Sequence, residues 1–139
     1  MAITSKATAE WKGSLKEGSG EVGFTGFKGG YTFASRFETG KGTNPEELIA
    51  AGHASCYSMQ LSGLLTANHT PPTAIATSAE VTIEAGVGIT GIVLTTEATV
   101  PGISDDAFQQ IATKAKEICP VSRALAGVKD ITLRATLKG

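Results

Sequence analysis

The stretch from Asn44 to Ala67, NPEELIAAGHASCYSMQLSGLLTA, constrains this chain more than any other. Asn44 is a good N-cap and Pro45 fits the first helical position. Glu47, three residues after the cap, completes a pattern like a capping box, with Asn in place of Ser or Thr. The spacing predicts a helix running to about Ala67, before the turn NHTPP. Its apolar residues, among them Leu48, Ile49, Ala54, Met59, Leu61, Leu64 and Leu65, occupy most of its sides. Such a helix belongs in the centre of a core or at a subunit interface. The apolar perimeter is too wide for a one-sided contact, which points to a homodimer.

The rest of the chain alternates differently. Residues 7–38 read as strands and turns, with Ala7 to Trp11 strand-like. Gly13, Gly18, Gly20, Gly26, Gly29 and Gly30 read as turn punctuation. Tyr31 to Glu38 alternates as a strand, with Tyr31, Phe33, Ser35 and Phe37 on one face and Arg36 on the other. Residues 75–100 read as a β-hairpin turning at Gly86 and Gly88. Ser104 caps a second helix with Asp105 and Asp106 in its first turn, and Pro120 ends it. VSRAL reads as a further short helix, and Ile131, Leu133, Ala135 and Leu137 mark a last strand. The class is α+β, and 139 residues suit a single domain, 1–139.

Composition narrows the function. Apolar residues make up 41% and charged residues 18%, with a net charge of −1 and interspersed signs. Nothing predicts nucleic-acid or anionic-membrane binding. No apolar run approaches the roughly 20 residues of a membrane span, and MAITSKATAEWKG lacks the apolar core of a signal peptide. A cytoplasmic protein is expected.

The two cysteines, Cys56 and Cys119, are far apart in the chain. A permanent disulfide is unusual in a reducing cytoplasm, and the plain alternative is two buried small hydrophobes. Cys56 lies on the stripe Ile49, Gly52, Cys56, Met59, Gly63. The glycines each cost the helix about 1 kcal/mol relative to Ala, which suggests close approach by another element. A dry thiol needs a nearby cation to react. Arg36 is permanently charged, whereas His53, one turn before Cys56, reads more simply as a core residue. His69 reads as a surface residue in a turn. Glu46 lacks the capping role of Glu47 and is a bidentate partner for Arg36, or an exposed first-turn acid. In a regular helix Glu46 and Cys56 are about 15 Å apart along the axis, so the carboxylate cannot reach the sulfur without a bend. Cys119 precedes Pro120, where it can end one helix and start the next. The first placement disfavours its thiolate and the second favours it.

These motifs resemble the OsmC/Ohr family. GTNPEELIAAGHASCYSM at 42–59 is similar to its central-helix signature, and KAKEICPVSRAL at 114–125 to its second-cysteine motif. TFASRFETGKGTNPEEL at 32–48 and ATAEWKGSLKEGSG near the start resemble the OsmC branch. The resemblance implies an OsmC-like fold, antiparallel strands around a long buried central helix, in an intertwined homodimer. It implies reduction of organic hydroperoxides, with Cys56 as the attacking cysteine, Cys119 as the resolving one, and Arg36 and Glu46 as the family's arginine and glutamate. The sulfenic acid formed on Cys56 would become a Cys56–Cys119 disulfide, reset by an external dithiol for which lipoyl proteins are one candidate. No cofactor or metal is implied.

An apolar surround from Ile49 and Met59, with room beside Gly52 and Gly63, would favour organic hydroperoxides over hydrogen peroxide. Phe33 and Phe37 would take no part, since a strand turns them away from Arg36. Three rivals compete. A Cys–His hydrolase would need an orienting acid and leave Cys119 idle. A zinc module would lack short paired ligand spacings. A non-catalytic binding protein would have inert thiols. GKGTN does not satisfy a phosphate-binding loop.

Overall fold

The computed structural model describes residues 1–138. The chain forms two compact units, Met1–Leu48 and Ile49–Gly139.

The first unit is a three-stranded antiparallel meander, β1 (Thr8–Lys12), β2 (Ser19–Phe24) and β3 (Phe27–Tyr31). Gly26, at φ +80°, supplies the left-handed turn between β2 and β3. Phe24 and Phe27 face each other across that turn with rings 5.0 Å apart. Gly20 pairs with both Trp11 and Tyr31, and a Cβ there would lie 2.6 Å from the Tyr31 ring. Gly20, Gly29 and Gly30 therefore lie inside strands, not in turns. At Gly20 the missing side chain makes room for the aromatic pair.

A larger correction concerns Tyr31 to Glu38. After Tyr31 the chain enters a short helix, α1 (Phe33–Phe37). Thr32 caps it reciprocally with Ser35: the Ser35 N–H donates to Thr32 Oγ1 at 3.1 Å and the Thr32 N–H to Ser35 Oγ at 2.8 Å. Ser35 Oγ also reaches the Thr43 carbonyl at 2.8 Å. A capping box and a tie to a distant loop thus override the strand-like alternation. Arg36 is consequently a helical residue.

The long helix α2 (Pro45–Ala67) runs as its sequence predicts. The Glu47 N–H donates to Asn44 Oδ1 at 2.7 Å, while the Glu47 carboxylate accepts from Thr43 Oγ1, also at 2.7 Å. His69, at φ +62°, takes the left-handed conformation after the helix and is exposed.

The second unit contains the remainder of α2 and a sheet ordered β4 (Ala74–Glu84), β5 (Gly88–Thr99), β6 (Ile131–Lys138). The β4–β5 hairpin is antiparallel. β5 and β6 run parallel, because the helices α3 (Asp105–Ile118) and α4 (Pro120–Ala124) form the crossover between them. Ser104 caps α3 by accepting the Ala107 N–H.

Along α2, His53, Tyr57, Leu61 and Leu65 recur every fourth residue and are fully buried. The last three pack with Leu94 and Ala98 of β5 and with Phe108, Ala112 and Ala115 of α3. Leu61→Ala should cost about 2–5 kcal/mol at such a site. The opposite side of α2 carries exposed Ala51, Gly52, Ser55, Met59 and Gly63. Among the described residues nothing lies within 4 Å of a Cβ built on Gly52 or Gly63. The close approach expected there is not made among the described residues.

Candidate active site

Cys119 ends α3 and caps α4, with φ −55° and ψ 121°. Its N–H donates to the Ala115 carbonyl, which closes the first helix. Its sulfur is buried and lies 3.2 Å from Cys56 Sγ on α2, the two sharing an S–H···S hydrogen bond. Both thiols are free, and Cys56 is only partly buried. A covalent S–S bond is about 2.05 Å long, so a shift of about 1 Å would join them. The packing of α2 against the α3–α4 junction thus brings together cysteines 63 positions apart.

The two thiols differ electrostatically. Burial pushes the Cys56 thiol up, the Val121 N–H opposes this, and neighbouring Cys119 raises it further. Burial also disfavours the Cys119 thiolate. There, however, the Ser122 N–H, the Cys56 thiol, the Ser122 hydroxyl and the Val121 N–H outweigh burial, and the thiol falls below its ordinary value. Cys119 occupies both positions, and the N–H groups at the start of α4 favour its thiolate. Cys56 remains hard to ionise without a further cation.

His53 is buried one turn before Cys56, as a core residue would be. Its Nε2 is 2.7 Å from Ser122 Oγ, and its Nδ1 has no hydrogen-bond partner among the described residues. Burial holds the imidazole below its ordinary value, which keeps it neutral. Ser122 escaped the sequence reading. The signal was present in the string CPVS, which puts a serine three residues after a capping cysteine. Tyr57 donates its hydroxyl to the Ala112 carbonyl at 2.9 Å, tying α2 to α3. Among the described residues no group of three or more His, Cys, Asp or Glu side chains is placed to hold a metal ion.

In the first unit, Arg36 and Glu46 form a bidentate pair, Nε–Oε1 at 2.9 Å and one terminal guanidinium nitrogen to Oε2 at 2.7 Å. Glu46 is nearly buried, so it is not an exposed first-turn acid. The Glu46 hydrogen bond raises the Arg36 pKa despite partial burial.

Because α1 is helical, Phe33, Arg36 and Phe37 share one of its sides. The Arg36 guanidinium carbon lies 5.2 Å from the Phe37 ring centre, and the Phe33 and Phe37 rings are 5.1 Å apart. With Trp11, Leu15 and Tyr31 they line a cavity of about 170 Å³. The exclusion of Phe33 and Phe37 from the surroundings of Arg36 is therefore overturned, and exposed Met59 is not part of an apolar surround within the chain.

The model of the OsmC-like protein family matches residues 38–134. Peroxiredoxin OsmC of Escherichia coli (strain K12) is 45% identical over 99% of both chains. An organic hydroperoxide resistance protein of Xanthomonas axonopodis pv. citri is 35% identical over 68% of this chain and 67% of its own. Among solved structures, an OsmC-like protein from Mycoplasma pneumoniae superposes with TM-score 0.78 at 20% identity, covering both chains fully. OhrB of Bacillus subtilis gives 0.69 at 23% identity, with 98% of each chain covered. The chain belongs to the OsmC-like family and has its fold.

Proposed function

We propose that this member of the OsmC-like family is a thiol-dependent peroxidase that reduces organic hydroperoxides to alcohols. The names of its relatives, a peroxiredoxin and an organic hydroperoxide resistance protein, support the reaction class. The observation that carries the reading is the free pair Cys56–Cys119 at 3.2 Å. One member of the pair is partly open to solvent and the other fully buried.

In this reading the Cys56 thiolate attacks the peroxide and becomes a sulfenic acid as the alcohol leaves. Cys119 then attacks that sulfur, forming a disulfide and releasing water. An external dithiol, with lipoyl proteins as one class, restores both thiols. Arg36 is the fixed cation that stabilises the Cys56 thiolate, and Glu46 holds the guanidinium plane by its two hydrogen bonds. The need for such a cation follows from burial, which by itself pushes the Cys56 thiol up.

The aromatic cavity beside Arg36 supports an apolar organic portion on the substrate. Each methylene buried there contributes about 0.8 kcal/mol. The exposed α2 face around Gly52, Ser55, Met59 and Gly63 supports assembly as a homodimer, with a second copy covering it.

The reading is tested by peroxide consumption with cumene hydroperoxide and dithiol. Wild type should turn over, and Cys56→Ser should be inactive while melting cooperatively. Undiminished turnover in Cys56→Ser would remove Cys56 from the mechanism. The hydrolase alternative is less well supported, since among the described residues the His53 ring hydrogen-bonds Ser122 and not Cys56.

A further inference from the structure

The buried pair His53–Ser122 has no part in the chemistry proposed above, yet its geometry has a direction. His53 Nε2 is 2.7 Å from Ser122 Oγ, and both residues are buried. Ser122 is the third residue of α4, whose cap is Cys119, and its hydroxyl is among the groups that favour the Cys119 thiolate. A neutral imidazole has one N–H to place. On Nδ1 it would be a buried donor without a partner among the described residues. Nε2 would then accept the Ser122 proton and leave none for the sulfur. On Nε2 it donates to Ser122 Oγ and frees the hydroxyl proton to point at Cys119. The second arrangement leaves no buried ring N–H without a partner and only a lone pair unmatched, so it is favoured.

We propose that His53 is a positioning residue for Cys119: its Nε2–H holds the Ser122 hydroxyl in the orientation that donates to the Cys119 sulfur and readies it to attack the Cys56 sulfenic acid. This rests on the reading of Cys119 as the resolving thiol. In the step, the Cys119 sulfur forms a bond to the Cys56 sulfur and the Cys56 S–O bond breaks. The proton given up by Cys119 ends on the departing hydroxide, which leaves as water. The sulfenic sulfur is reduced and the Cys119 sulfur oxidised, while His53 and Ser122 exchange no net proton.

Few other groups bear on Cys119. The titratable side chains acting with it are Cys56 and Tyr57, both on α2, and Tyr57 stays protonated with its hydroxyl on Ala112. Its core neighbours from α3 and β5, such as Ala112, Ala115 and Leu94, are apolar.

The test compares wild type with Ser122→Ala, Ser122→Thr, His53→Leu and His53→Gln in single-turnover stopped flow with one equivalent of cumene hydroperoxide. The readout is the ratio of the disulfide-forming rate to the sulfenic-acid-forming rate. It should fall about tenfold in Ser122→Ala and His53→Leu, the effect of one hydrogen bond to a charged group. Ser122→Thr and His53→Gln keep a donor and should recover most of it.

A second arm needs no peroxide. In a Cys56→Ser background, thiolate absorbance titrates Cys119 alone, and Ser122→Ala should move the midpoint up by about one pH unit. Should His53→Leu fail to melt cooperatively, Ser122→Ala carries the comparison. An unshifted titration in folded Ser122→Ala overturns the relay. A wild type that forms no Cys56–Cys119 disulfide overturns the resolving reading on which it rests.

Discussion

Replacing Glu46 by Gln should separate the charge that holds Arg36 from the space Glu46 fills. The wild-type carboxylate accepts two guanidinium hydrogen bonds, at 2.9 and 2.7 Å. The amide keeps one acceptor oxygen and turns an N–H₂ toward the other guanidinium donor, so one bond is lost and a donor faces a donor. A charge-assisted hydrogen bond contributes about 1.5–3 kcal/mol, and stripping one partner from a fully buried pair costs about 3–5 kcal/mol. Here the Glu46 side chain is 7% exposed but that of Arg36 is 35% exposed, so water recovers part of the loss. The net cost should be about 1–2 kcal/mol. It should appear as a lower urea midpoint with an unchanged slope. A guanidinium no longer held in one plane should slow the reaction of Cys56 with cumene hydroperoxide about tenfold, the equivalent of roughly 1.4 kcal/mol. Stopped-flow measurement of the second-order rate constant checks this. A Glu46→Gln variant with wild-type rate and wild-type midpoint would refute the reasoning. Lost stability with a wild-type rate would leave Arg36 as a purely structural partner.

Other outcomes follow from the same geometry. Arg36→Ala should raise the apparent pKa of the Cys56 thiol, measured by its alkylation rate against pH, and Arg36→Lys should restore only part, since Lys lacks the planar fork. Cumene hydroperoxide should react one to two orders of magnitude faster than hydrogen peroxide, roughly what a few buried methylenes supply, and Phe33→Ala should shrink that ratio. His53 has a lowered pKa in the fold, so below about pH 6.5 the unfolded chain binds the proton that the folded chain refuses. Stability should therefore fall as pH drops below that value, and His53→Gln should flatten the slope in urea melts. Light scattering at micromolar concentration should show a dimer that Met59→Lys weakens, and a wild-type monomer would contradict the proposed covering of α2.

The extent to which the fold could be read from residues depended on whether the deciding interactions were local. The ends of α2 and α3 follow from Asn44, Pro45 and Ser104, which act within one turn, and the β4–β5 hairpin follows from alternation and two glycines. The segment 31–38 defied its pattern because five helical residues are too few to display a 3.6-residue period. Part of its stability comes from Ser35 reaching Thr43, a tie that alternation does not reveal. That error also hid Phe33 and Phe37 from Arg36.

The bidentate Arg36–Glu46 pair could be anticipated because Glu46 had no other task. Gly52 and Gly63 meet no neighbour among the described residues, because a glycine on a helix signals close approach without saying which element, or which copy of the chain, makes it. The His53–Ser122 bond spans 69 positions and depends on how α4 follows Cys119, which no local pattern encodes.

The central claim, that Cys56 and Cys119 form one redox unit, is tested most directly by mass spectrometry after one equivalent of cumene hydroperoxide. The expected result is loss of both thiol hydrogens, a peptide map joining Cys56 to Cys119, and a band of single-chain size on a non-reducing denaturing gel. A chain that keeps a free Cys119 thiol, or that links to a second chain through Cys56, would contradict it.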